Sequence, residues 1–193
     1  MLSLGLLVTV SVAAQAQGVK FGIRAGASAN TLSGDNDPKG FKTSDYSYGL
    51  GGLAGVTANF AFSDMISLQP ELLYNLKGTQ ILDSKVRLDL HYIDLPILLK
   101  VNADGPDFEA GPQVGYLISV KIGGADKTRI ENKDLQGLSL GYVAGVGYQL
   151  PSGLNLGVRF NGGISSVGKD NEIFDQQRNQ SFRFVAGYVF GGK

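Results

Sequence analysis

The chain has 193 residues, enough for one domain, with 17 basic and 17 acidic side chains and no cysteine. Zero net charge leaves no global field to draw a nucleic acid, and the lack of thiols excludes a disulfide framework and any thiolate site. Glycine is abundant at 28 residues, about twice the usual ~7%, and much of it falls inside periodic stretches, where close backbone approach or a crowded barrel interior accounts for it.

Met1 to Gln17 is an apolar run of leader length that carries Ala14-Gln15-Ala16 near its end. Such an A-x-A site predicts a signal peptide over residues 1–16 and a mature domain over 17–193. No later stretch reaches the ~18 consecutive apolar residues of a membrane helix, so a bilayer can be crossed only by a closed barrel.

Val19 to Ala29 alternates apolar and polar residues and reads as the first strand, followed by the polar loop Asn30 to Asp45. Tyr46 to Phe62 and Met65 to Lys77 form a hairpin across the short break at Ser63-Asp64. After the polar connection Gly78 to Lys85, Val86 to Val101 is the fourth strand. Its apolar residues change phase, from Leu88, Leu90 and Tyr92 to Ile93, Leu95, Ile97, Leu99 and Val101, so a β-bulge is expected near Tyr92.

The turn Asn102 to Pro106 leads into Asp107 to Ile122, the clearest two-faced strand of the chain. Phe108, Ala110, Pro112, Val114, Tyr116, Ile118, Val120 and Ile122 lie on one side, with Glu109, Gln113, Ser119 and Lys121 on the other. It exceeds the five or six residues usual in soluble sheets, and a tilted membrane strand needs roughly 9–11. The loop Gly123 to Gln136 precedes a second hairpin, Leu138 to Leu150 and Leu154 to Ser165, turning at Pro151-Ser152-Gly153. The loop Ser166 to Asn179 and the strand Gln180 to Phe190 complete the domain.

Eight strands joined alternately by long and short connections predict an all-β fold, an antiparallel up-and-down transmembrane β-barrel with short periplasmic turns and long extracellular loops. A soluble lipocalin-like carrier shares the alternation. Three features favour the membrane: the leader; aromatic residues towards the strand ends (Tyr46, Tyr48, Phe60, Phe62, Phe108, Tyr142, Tyr148, Phe182 and Phe190); and a charged inner face. That face holds Arg24, Glu71, Lys77, Glu109, Gln113, Lys121, Arg159 and Arg183, which are expected to form one polar network filling the lumen, since eight strands enclose only room for side chains.

Three blocks carry a family likeness. Ser67 to Tyr74 (SLQPELLY), Tyr92 to Lys100 (YIDLPILLK) and Glu109 to Leu117 (EAGPQVGYL) resemble the recurring blocks of the PorT-like outer-membrane β-barrel family of Bacteroidetes-type bacteria. The resemblance implies a small barrel in the outer membrane of a Gram-negative bacterium and, for some members, a role beside the protein-secretion and gliding apparatus; others carry only a "porin family" label. It brings no catalytic residue. Such barrels finish on an aromatic residue, whereas here Phe190 is followed by Gly191, Gly192 and Lys193.

Other candidates are weaker. The single histidine, His91, shares a strand face with Asp89, as an acid–base pair would, but no motif supplies a nucleophile. Asp35 to Gly40 begins like a calcium loop, yet Tyr46 stands where the bidentate glutamate belongs. No strand-to-helix step follows Gly22, Gly26, Gly49, Gly51, Gly55, Gly111 or Gly115, so none begins a phosphate loop. The expectation is a monomeric, non-enzymatic barrel without cofactor or metal. It contacts outer-membrane lipid and binds envelope or secretion proteins through Asn30 to Asp45, Gly123 to Gln136 and Ser166 to Asn179. A narrow channel for ions or small solutes is the alternative of another class.

Overall fold

The computed structural model describes residues 18–33, 46–81, 87–123, 137–165 and 178–191. The expected leader, the calcium-like stretch Asp35 to Gly40 and most of the three interaction loops lie outside the described residues. Among the described residues every element is a strand: β1 (Val19–Ser33), β2 (Tyr46–Ala61), β3 (Ile66–Ile81), β4 (Arg87–Asn102), β5 (Pro106–Gly123), β6 (Leu138–Gln149), β7 (Leu154–Gly163) and β8 (Arg178–Val189). Each pairs antiparallel with its sequence neighbours, and β1 closes on β8 from Gly22↔Val189 to Ser33↔Arg178. Closure satisfies the backbone ladder without leaving a sheet edge around the middle of the wall, which is what lipid demands of a spanning sheet.

The alternation of side chains sets the two faces. Ile23, Val56, Leu72, Leu95, Val114, Leu140, Val158 and Phe184 point outward and are exposed, while Arg24, Thr57, Glu71, Asp94, Gln113, Arg159 and Arg183 point inward and are buried. A polar inside and an apolar outside invert a soluble barrel and match a lipid-facing one. Phe60, Phe62, Phe108, Tyr148, Tyr188 and Phe190 ring the wall near the short turns. Tyr74, Tyr116, Tyr142, Phe160 and Phe182 form an upper band, with Phe160 5.2 Å from Phe182 and 6.1 Å from Tyr142 between ring centres. Phe108 and Tyr116 stand eight residues apart on β5. At the usual tilt that is about 20 Å of height, comparable with an apolar band of about 25 Å. The side chains of Tyr46 and Tyr48, expected in the bands, lie outside the described set.

The structure departs from the sequence reading in three places. β1 continues to Ser33 and β3 to Ile81, so the start of one supposed loop and much of the connection Gly78 to Lys85 are strand. The expected bulge does fall at His91/Tyr92, but the residue left without a partner is Ile118 on β5, since His91 pairs with Ser119 and Tyr92 with Leu117. β4 itself keeps one phase: Leu90, Tyr92, Asp94, Pro96, Leu98 and Lys100 are all buried inward. The apparent slip arose because the inner face of β4 turns apolar towards the long-loop end.

Among the described residues the wall has unequal height. β1 to β5 run 15 to 18 residues, whereas β6, β7 and β8 run 12, 10 and 12. β5 continues seven residues beyond Tyr116, its last pairing with β6, about 23 Å along the strand.

Candidate functional site

The lumen holds two tiers of charge separated by an apolar layer. The tier nearer the short turns is built from alternate strands: Arg24 on β1, Glu71 on β3, Glu109 on β5 and Arg159 on β7. Between them β2 and β6 bring glycine to the same level, as Gly55 pairs with Arg24 across β1–β2 and Gly145 with both Glu109 and Arg159. At Gly145 the absence of a side chain matters: a Cβ there would sit 2.9 Å from Arg159 Cγ and 3.1 Å from Glu109 Oε1.

Arg159 is the centre of this tier. Its Nη1 donates to Glu71 Oε2 at 2.7 Å and its Nη2 to Glu71 Oε1 at 2.8 Å and Glu109 Oε2 at 2.9 Å, while its Nε donates to Glu109 Oε1. Arg24 Nη1 reaches Glu71 Oε1 at 2.6 Å, and its Nη2 donates to Asn155 Oδ1 at 3.0 Å. Gln69 adds a further donor to Glu71 at 2.6 Å. Below this ring Lys100 Nζ stands 3.0 Å from Asp107 Oδ1. Arg24, Arg159 and Lys100 thus face Glu71, Glu109 and Asp107, and the tier is neutral. Charge-assisted, forked contacts of this kind are the strong ones, and burial makes their loss costly.

The second tier lies towards the long loops. Asp94 on β4 accepts from Asn75 Nδ2 at 2.7 Å, but Lys77 Nζ and Arg183 Nη2 both stand at 3.7 Å from the same carboxylate oxygen. Lys77 also lies over the Tyr92 ring, 4.1 Å from its centre, in cation–π contact. Gly115 makes room for Asp94, whose Oδ1 is 2.4 Å from where a Cβ would be. Gln113 accepts from Asn161 Nδ2 at 2.8 Å at this end. Leu53, Leu73 and Val185 pack together between the tiers.

The seven residues Arg24, Glu71, Lys77, Glu109, Gln113, Arg159 and Arg183 therefore all lie inside, divided between two tiers instead of joined in one network. Lys121 does not join them. The bulge at Ile118 reverses the phase of β5, so Lys121 pairs with Asp89 on the outer face and is exposed. Asp94, Lys100, Asp107 and Asn155 were not picked out from the sequence. Asp94 and Lys100 would have followed from extending the single inward phase of β4, and Asp107 from its sharing the phase of Glu109.

His91 is on the outer face with Asp89, and its Nδ1 is 2.5 Å from the Tyr74 hydroxyl. No hydrogen bond joins it to the neighbouring Ser119, so no nucleophile–base pair is assembled there. Among the described residues no group of three or more His, Asp or Glu side chains is placed to hold a metal ion. On the short-turn side of the plug a polar cup of about 420 Å³ is lined by Lys20, Asn59, Ser67, Lys100, Asp107 and Gln149.

A closed eight-stranded wall, apolar outside and ion-paired inside, accompanies a sequence match over residues 13–168 to the model of the outer membrane protein beta-barrel domain. The chain belongs to that family. The match takes in β1 to β7 of this outer-membrane β-barrel. Neisserial surface protein A (NspA) is similar in fold, with a TM-score of 0.57 at 18% identity over 90% of this chain and 99% of that one. Ail of Yersinia pestis, in complex with the heparin analogue sucrose octasulfate, gives a TM-score of 0.50 at 12% identity over 89% of this chain and 99% of that one. At these identities the likeness is one of fold. No curated protein matches the chain in sequence.

Proposed function

We propose that this outer-membrane barrel is a non-enzymatic, monomeric structural or interaction protein of the PorT-like kind, serving envelope or secretion proteins through its long-loop end. On this reading residues 1–16 are an export leader, 17–193 form the one mature domain, the short turns face the periplasm, and the loops face outward from a Gram-negative cell. The observation that carries it is the plug: Arg159 bridges Glu71 and Glu109 across the lumen, with Arg24 closing the same ring, and these side chains occupy the space that a permeant solute would need. The tall wall of β1 to β5 gives the long-loop end strand-built surface above the bilayer, which suits contact with another protein better than transport.

The tests are direct. Refolded protein in planar bilayers is expected to show no steady open-state current. A stable single-channel conductance would overturn the occluded reading in favour of a narrow channel. Cross-linked co-purification from native outer membrane, with mass spectrometry, is expected to bring down envelope proteins through the loops. Recovery of lipid alone would remove the interaction role.

A further inference from the structure

We propose that the long-loop half of the lumen is a binding site for one small anion of chloride size, held by Arg183 and Lys77. The argument starts from charge. Among the described residues the buried ionic side chains inside the barrel are Arg24, Lys77, Lys100, Arg159 and Arg183 against Glu71, Asp94, Asp107 and Glu109, five cations to four anions. The short-turn tier is balanced, so the excess positive charge belongs to the second tier, where Asp94 is the one described carboxylate within ion-pair distance of Lys77 and Arg183. Both are almost wholly buried. A buried charge without a full partner is relieved by a counter-ion or by loss of its proton, and the second route is closed to the guanidinium of Arg183.

Geometry points the same way. Both cations keep 3.7 Å from the Asp94 carboxylate, and Arg183 Nη2 makes no hydrogen bond. Glu71 attracts Arg183 only from a distance, because its two oxygens already accept from Arg24, Arg159 and Gln69. A cavity of about 20 Å³ lies beside these cations, lined by Lys77, Arg183, Asn30, Gln113, Asn161 and Ser181 and reaching towards the long loops. It has room for one or two water-sized bodies, roughly 10–15 Å³ each by the same measure, which admits chloride and is too small for phosphate or an organic acid. The amide oxygens of Asn30 and Asn161 are also without partners. One water beside the ion can donate one proton to such an oxygen and the other to the anion, so ion and water together take the two places the cavity offers.

The experiment uses the refolded, membrane-embedded barrel at fixed sodium and fixed ionic strength. Its unfolding midpoint is expected to be higher in chloride than in gluconate, and ³⁵Cl line width is expected to broaden in its presence and to be narrowed by added bromide. Lys77→Met leaves four buried cations against four anions, and Arg183→Gln does the same by the other route. Either variant is expected to lose the chloride-specific rise and the excess line width. Identical wild-type midpoints in the two salts with no line broadening would overturn the proposal, and the wild-type measurement stands whether or not the variants fold. Effects retained in full by both variants would overturn it equally, because they would come from salt acting elsewhere on the barrel.

Discussion

The two tiers of the lumen use the same side-chain chemistry to different ends. Near the short turns, Arg159 makes four hydrogen bonds to two carboxylates, Arg24 adds a contact of 2.6 Å, and the charges cancel. Past Leu53, Leu73 and Val185, one carboxylate faces two cations at 3.7 Å, and an arginine nitrogen is left without a hydrogen bond. The first arrangement is a lock, with the Arg159 guanidinium held between two carboxylate forks. In the second, among the described residues, two cations share one carboxylate oxygen. The difference teaches that filling a barrel and balancing it are separate tasks, and that imbalance is confined to the end that opens towards the loops.

Four substitutions test this contrast. Arg159→Ala leaves Glu71 and Glu109 buried with too little positive charge, and a loss of about 3–5 kcal/mol in urea unfolding from lipid vesicles is expected. Gly145→Val drives a branched side chain into Arg159 and Glu109, with an expected loss of about 1–3 kcal/mol and a matching fall in the temperature at which the folded band disappears on unboiled gels. Arg183→Gln removes a distant ion pair and restores balance, so a loss of about 1 kcal/mol or less is expected in the same urea assay. A cost equal to that of Arg159→Ala would erase the distinction between the tiers. Lys121→Ala should change stability by less than about 0.5 kcal/mol, as an exposed outer-face residue does. A loss of several kcal/mol would return Lys121 to the lumen.

Much of the architecture was legible because a spanning barrel writes its two faces into strict alternation. Glu109 and Gln113 against Phe108 and Val114 could be assigned from one strand alone, and the short turns at Ser63-Asp64 and Pro151 to Gly153 fixed the hairpins. Cross-strand effects were not legible. Lys121 continues the polar phase of β5 in sequence, and only the pairing of Tyr92 with Leu117 reveals that Ile118 is skipped and the phase reversed. Leu90 and Tyr92 misled for a related reason: an apolar patch inside the lumen reads as a change of face when the neighbours are unseen. The separation into tiers depends on register across several strands, which places Gly145 between Glu109 and Arg159 and Leu73 opposite Asp94.

The uneven wall has its own consequence. Among the described residues β5 reaches about 23 Å along its strand beyond its last pairing with β6, so the described rim at the long-loop end steps down from β5 to β6 and β7. A body resting on that rim is tilted and meets one side first. Rotation of the barrel about its own axis is then no longer a neutral motion, because each bearing presents a different profile to whatever stands beside it in the membrane.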